Sequence, residues 1–175
     1  MRSFLVWVCL HSVFLSCNHA KPIGTAPLDT TIEKATILAT LDSLNQAAAK
    51  ADYTGYFHFY SDGAIFAGTD ATERWDKKEF MVWAKPFFDQ GKAWHFTAIE
   101  RHIYLNKTGD LAWFDELLNT QMKICRGSGV LLKQGNSWKI QQYILSATVP
   151  NELIDKVTIM KAPVEDSLIK IKSGK

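Results

Sequence analysis

The polar side chains that could do chemistry gather in the second half of the chain: Glu100-Arg101-His102, Asp115, Arg126-Gly127-Ser128-Gly129 and Tyr143. A guanidinium in an apolar cavity is a planar fork for a carboxylate or phosphate, so Arg126 is a candidate to hold an anionic ligand. It could equally satisfy Glu100, Asp115 or Glu116 within the protein. His102 has the side chain of an acid-base group, or of a satisfied histidine at the core or rim. Cys125 is the sole cysteine beyond the N-terminal segment, which excludes an internal disulfide. In a stretch that reads as strand, such a residue is more often a small buried hydrophobe than a nucleophile. No pair of His, Cys or carboxylate residues has the spacing of a structural or hydrolytic metal site, and no glycine-rich loop matches a nucleotide fingerprint. Arg126-Gly127-Ser128-Gly129 lacks the flanks of a serine nucleophile elbow. No metal and no cofactor are expected.

The elements that must position these groups follow from hydrophobic periodicity. Thr30 or Thr31 can cap a helix in which Ile32, Ala35, Leu38, Leu41, Leu44 and Ala48 recur at three- and four-residue steps. A short second helix carries Tyr53, Tyr56, Phe57 and Tyr60 until Ser61-Asp62-Gly63 breaks it, and Ala64 to Gly68 reads as a short strand. A third helix runs from about Lys77 to Gln90, with Pro86 bending or shortening its last turn. From Lys92 the period changes to two. Four strands are expected, at about Ala93 to Leu105, Asp110 to Asn119, Lys123 to Lys133 and Ser137 to Thr148. Three helices followed by a meander of long antiparallel strands is an α+β layout.

Turn chemistry then sets register. Asn106-Lys107-Thr108-Gly109 favours a type I turn with a left-handed Gly bulge, which places Ile103 opposite Trp113 and Arg101 opposite Asp115. A two-residue turn would instead set Glu100 against Asp115 and His102 against Trp113. Gly135-Asn136 suits a two-residue turn closing Gln134 on Ser137. Counting back puts Arg126, Ser128 and Tyr143 on one face, and leaves Gly127 and Gly129 bare enough on the other for a backbone or ring to approach closely.

Several stretches in this order carry a resemblance: Leu41-Asp42-Ser43-Leu44-Asn45, Phe66-Ala67-Gly68-Thr69-Asp70-Ala71-Thr72-Glu73-Arg74-Trp75, Glu100-Arg101-His102, Ala112-Trp113-Phe114-Asp115-Glu116, Cys125-Arg126-Gly127-Ser128-Gly129-Val130-Leu131 and Trp138-Lys139-Ile140. Together they resemble the SnoaL-like branch of the nuclear transport factor 2-like superfamily over about Thr31 to Asn151. The resemblance implies a cone-shaped α+β barrel, with three helices packed on a strongly curved antiparallel sheet, a pocket at the wide end and a homodimer through the outer sheet face. It also implies, for relatives that are isomerases or cyclases, a strand carboxylate as general base. That match casts Asp115 as base and Tyr143 or His102 as hydrogen-bond donor, with the carboxylate's pKa raised by an apolar cavity. An Arg101 partner would oppose this by keeping Asp115 ionised. Arg101, Arg126, Ser128, Trp113, Trp83, Phe57 and Tyr60 are the candidates for holding a ligand, and Trp75, Trp94 and Trp138 are further candidates for the lining. The superfamily hosts many activities, so fold alone does not decide chemistry.

Composition bounds the rest. With 175 residues, 47% hydrophobic, the chain suits one globular domain, and 20 Lys+Arg against 18 Asp+Glu argues against a nucleic-acid partner. Met1-Arg2-Ser3 and the apolar run Phe4 to Leu15 form a secretory signal too short to span a bilayer. Phe14-Leu15-Ser16-Cys17 resembles a bacterial lipobox, which would make Cys17 a lipidated first residue and the membrane contact an acyl anchor in the cell envelope. Cleavage near Ala20 would give a soluble periplasmic or secreted protein instead, and a buried N-terminal helix is the third alternative. Residues 18–30 read as a linker, 31–150 as the domain, and 151–175 as a tail with a short helix that Pro163 ends. The leading expectation is an exported domain whose aromatic pocket binds a small, anionic organic molecule. An isomerase or cyclase and a non-catalytic dimeric scaffold are the alternatives.

Overall fold

The computed structural model describes residues 29–174, so the signal segment, Cys17 and nearly all of the linker lie outside the described residues. Asp29 opens the first helix: its carboxylate accepts from the Thr31 and Ile32 amides, so the cap falls just ahead of the two threonines. Helix α1 (Thr30–Ala49) buries Ile37, Leu41, Leu44, Ala47 and Ala48, leaving Ile32 exposed. Asp52 caps the short α2 (Tyr53–His58). A capping box between Asp76 and Glu79 starts α3 (Lys77–Asp89), which buries Phe80, Ala84 and Phe88. Pro86 is accommodated inside α3, where the carbonyl it leaves without a donor belongs to the exposed Val82.

Six strands follow in one sheet: β1 (Tyr60–Ala67), β2 (Arg74–Asp76), β3 (Thr97–Leu105), β4 (Leu111–Thr120), β5 (Lys123–Gln134) and β6 (Ser137–Ala147), in the order β2-β1-β6-β5-β4-β3. The architecture is α+β, as the periodicity implies, with the sheet left unclosed between β2 and β3. The second helix ends at His58, two residues before the expected Tyr60, and Ser61-Asp62-Gly63 lies within β1, where the pairing with β6 is irregular. β2 is an additional strand between the expected first strand and the third helix. β1 and β6 run parallel, so the sheet is not purely an antiparallel meander.

Two registers differ from expectation by one residue. Between β3 and β4 the loop is longer than a three-residue turn, because the Asn106 carboxamide oxygen accepts from the amides of Gly109, Asp110 and Leu111. The register that results pairs Arg101 with Glu116, His102 with Asp115 and Tyr104 with Trp113. Neither expected pairing for Asp115 forms, and Arg101 and Asp115 occupy opposite faces. The β5–β6 turn closes Gln134 on Ser137 as anticipated, but an irregularity between Val130 and Leu131 moves Tyr143 opposite Gly129. Tyr143 therefore leaves the face of Arg126 and Ser128 and turns inward.

Along β4, Ala112, Phe114, Glu116, Leu118 and Thr120 are buried and Trp113 and Asn119 exposed, which defines an inner face under the helices and an outer one. The last helix is a further correction: after a 3-10 turn at Asn151–Leu153, α4 (Ile154–Ser173) runs straight through Pro163. Ile159, whose carbonyl loses its helical donor there, is 73% exposed, so water can serve it. No residue of α4 is buried.

Candidate functional site

Two adjoining features occupy the inside of the sheet. The first is a polar relay. Arg101 of β3 donates from Nε to Glu116 Oε2 at 2.8 Å and from Nη1 to Asp42 Oδ1 of α1 at 2.7 Å. Its Nη2 lies 2.7 Å from Glu116 Oε2 but out of line for a hydrogen bond, leaving that nitrogen buried without an aligned acceptor. On the other side of Glu116, Tyr143 donates its hydroxyl to Oε1 at 2.6 Å. Glu116 is 2% exposed, so the ion pair is shielded from water at that end and open only at Asp42. Gly127 makes room for the relay: a Cβ there would stand 2.5 Å from the Tyr143 hydroxyl and 2.9 Å from Glu116 Oε1. At Gly129 the Phe114 ring makes a similar approach, so rings do close on the two bare positions as expected from their spacing.

The electrostatics fix the protonation of the donors. Burial acts to lower the Arg101 pKa, but Glu116 and Asp42 outweigh it and the net shift is upward. Burial pushes the Tyr143 phenol well above the ordinary tyrosine range, and the charge of Glu116 pushes the same way. Tyr60 is raised for the same first reason, then by Tyr56, whose hydroxyl lies 2.9 Å from its own. These phenols therefore remain protonated donors at neutral pH. Both oxygens of Glu116 are engaged, so the relay offers no free carboxylate oxygen to a reactant.

The second feature is an aromatic cavity at the mouth, of about 160 Å³, lined chiefly by Phe66, Phe80, Trp83, Trp94, Phe96 and Met122. Its walls form one continuous stack. Phe66 lies on Phe80 at 4.1 Å between centroids and on Trp75 at 6.2 Å, and Trp75 lies on Trp83 at 4.7 Å. Such a surface favours a flat apolar ligand. Phe66 is shared between the two features, since its ring also stacks on Tyr143 at 5.9 Å. The lining includes Leu145 and Gln121 and no lysine, arginine or histidine; its one charged residue is Glu73.

The structure separates the sequence candidates. Trp83 is in the cavity and Tyr143 and Arg101 in the relay. Phe57 and Tyr60 are buried in the core beneath. Arg126 is exposed and Ser128 half-buried on the outer face, where they cannot meet a ligand inside, and Trp113 stacks there on Tyr104 at 5.7 Å. His102 and Asp115 also face outward, with His102 Nδ1 3.1 Å from Asp115 and Nε2 3.1 Å from Glu100. Asp115 thus lacks the apolar enclosure that would make it a base. Trp138 is fully buried and donates to Glu33, while Trp75 backs the stack. Sequence reasoning missed Glu116 and Asp42 as the partners of Arg101, and Met122 as a wall. The adjacent pair Asp115-Glu116 was the available signal, since a one-residue change of register exchanges their faces.

The same architecture occurs in solved structures of low sequence identity. A nuclear transport factor 2-like protein of unknown function from Pseudomonas putida KT2440 is 17% identical, with 70% of this chain and 92% of that one covered and a TM-score of 0.60. A suggested dehydratase of the same family from Streptomyces avermitilis is 11% identical over 69% and 99% of the two chains, TM-score 0.58. A suggested aromatic ring hydroxylase from Novosphingobium aromaticivorans is 10% identical over 69% and 92%, TM-score 0.59. These show the fold. No curated protein matches the chain. The family model of the SnoaL-like domain matches residues 37–150, from the first buried residue of α1 to just past the last strand, and the chain belongs to that family.

Proposed function

We propose that this SnoaL-like domain is a small-molecule binder whose mouth cavity takes a neutral, flat, apolar ring. The observation that carries this is the aromatic stack ending in Trp83, which remains 38% exposed at the opening although large aromatics bury wherever packing permits. A cavity of about 160 Å³ is below the usual range of roughly 300–1,000 Å³ for drug-sized ligands, so one ring is the matching size. Neutrality follows from the cations. Arg101 is committed to Glu116 and Asp42, and Arg126 stands on the outer face, so nothing positive at the mouth would hold an anion.

Two further parts of the reading rest on the sequence and on the exposed sheet face. The stacked pair Tyr104 and Trp113 at one end of the outer face and the exposed Ile99 and Ile124 at the other flank the polar rows of His102, Asp115 and Arg126, a mixed surface suited to a second copy of the chain. The signal-like start and Cys17 support an exported domain on an acyl anchor, which intact-mass measurement of the natural protein would detect.

The test is titration with p-cresol against benzoate while following the indole Nε1–H resonances of Trp83 and Trp94. Saturable shifts with p-cresol, weaker ones with benzoate, and loss of both in Trp83→Ala are expected. No shift at either indole, or a preference for benzoate, overturns the reading.

A further inference from the structure

A larger hollow lies away from the mouth, between α2 and the start of α3. It measures about 560 Å³ and is lined by Tyr53, Thr54, Phe57, His58, Asp62, Lys77, Lys78 and Met81. Its size falls within the usual range for small-molecule sites. Tyr53, Phe57 and Met81 give it an apolar floor, held in place because the Tyr53 hydroxyl donates to the Met81 carbonyl at 3.0 Å. That bond ties α2 to α3 and fixes the width of the cleft.

The rim carries more positive charge than the protein neutralises. Lys77 and Lys78 line it, and Lys139 stands directly behind His58, donating to the His58 carbonyl at 2.6 Å and lying 3.1 Å from Nε2. The one carboxylate in the lining is Asp62, which projects fully into solvent and meets Lys77 at 3.1 Å. Asp76 and Glu79 are turned into the α3 capping box. Lys85, which sits over the Tyr53 ring, is paired with Asp89. Burial, followed by the charge of Lys77, lowers the pKa of Lys139, an independent sign that positive charge is crowded here. The Lys139 ammonium can only donate, so His58 Nε2 is the acceptor in that contact.

We propose that this cleft is a second binding site, for a small organic anion whose apolar body lies on Tyr53, Phe57 and Met81 and whose carboxylate or sulfonate head meets Lys78 and His58. Lys78 is the cation available for the ligand, since Lys77 is occupied by the Tyr60 carbonyl and Asp62. The two sites then divide ligands by charge. The mouth accepts a neutral ring and the α2–α3 cleft an anionic amphiphile, and each can be empty or filled without the other.

The probe is 2-naphthoate, with the neutral 2-naphthamide as its control, added to the full chain while backbone amide resonances are followed. The expected result is saturable shifts at Thr54, His58 and Lys78 with the acid and not with the amide. Lys78 is exposed, so charge reversal there leaves the fold intact. Lys78→Glu should weaken 2-naphthoate about tenfold while Lys78→Arg stays within about twofold. Trp83→Ala, which removes a wall of the mouth, should leave this binding unchanged, separating the fate of this site from that of the first. Three results would each overturn the proposal: no shift at those amides at millimolar probe, equal shifts from the amide, or an affinity indifferent to Lys78→Glu.

Discussion

Tyr143 hydrogen-bonds Glu116 across the space that Gly127 leaves by having no side chain. Three strands meet there: the phenol comes from β6, the carboxylate from β4, and the glycine lies on β5 between them. Gly127→Ala should therefore destabilise by about 1–3 kcal/mol, the usual effect of overfilling a packed interior. Tyr143→Phe removes the nearest clashing atom, so the double variant should be more stable than the sum of the two single losses predicts. Urea denaturation of the four proteins of the cycle measures this, and strict additivity would show that the glycine serves another purpose.

The Arg101–Glu116 pair is buried at one end and open at Asp42. Arg101→Met leaves the Glu116 carboxylate buried without its cation and should lower stability by about 3–5 kcal/mol. Asp42→Asn removes a partner whose side chain is 58% exposed, and should cost less than about 1 kcal/mol. Adding Glu116→Gln to Arg101→Met should restore part of the loss. Equal effects at Asp42 and Arg101 in thermal melts would contradict this ordering.

Acid sensitivity should trace in part to Glu33. Its carboxylate accepts from Lys133 and from the Trp138 indole, and these two hydrogen bonds hold its pKa below the ordinary value of 4.5. Because the folded-state pKa is depressed, the contribution is fully present above about pH 4.5 and is lost as pH falls through the folded pKa. Glu33→Gln should thus be less stable than the parent near neutrality, with the gap narrowing below pH 4.5. Denaturation at a series of pH values checks the sign. A gap constant down to pH 3 would remove Glu33 from the account.

Trp113→Lys should abolish self-association through the outer sheet face without affecting the inner cavity, since the ring is exposed and stacked on Tyr104 alone. Sedimentation velocity should show a dimer for the parent and a monomer for the variant. A monomeric parent at high micromolar concentration would refute the assignment of that face.

Much of the fold could be read from the residues because it rests on periodicity. The switch from helical to alternating spacing near Lys92, the Gly135-Asn136 turn and the four long strands all follow from local pattern. The site was less legible because it rests on register, where an error of one residue exchanges the two faces of a strand. Asp115 and Glu116 are chemically similar neighbours, and only the Asn106 side chain, by drawing three amides into a longer loop, decides which of them meets Arg101. Tyr143 was misplaced for a related reason: the irregularity near Val130 has no strong sequence signature. Pro163 misled because a proline in a helix disturbs it least where water can reach the freed carbonyl.

The parallel pairing of β1 with β6 joins segments about eighty positions apart, as the bond from Ser61 to Gln141 illustrates. This arrangement imposes an order in time as well as in space. During synthesis β1 has only the three-residue β2 beside it until the final strand emerges, so the chain must travel most of its length without its finished sheet. Pairing so distant in sequence also makes for slow folding. Because β6 supplies Tyr143 to the relay and Leu145 to the mouth, both features are completed by the same late event. A chain stopped before Ser137 would hold neither, so the proposed ligand binding at the mouth would also report that the whole domain has been made.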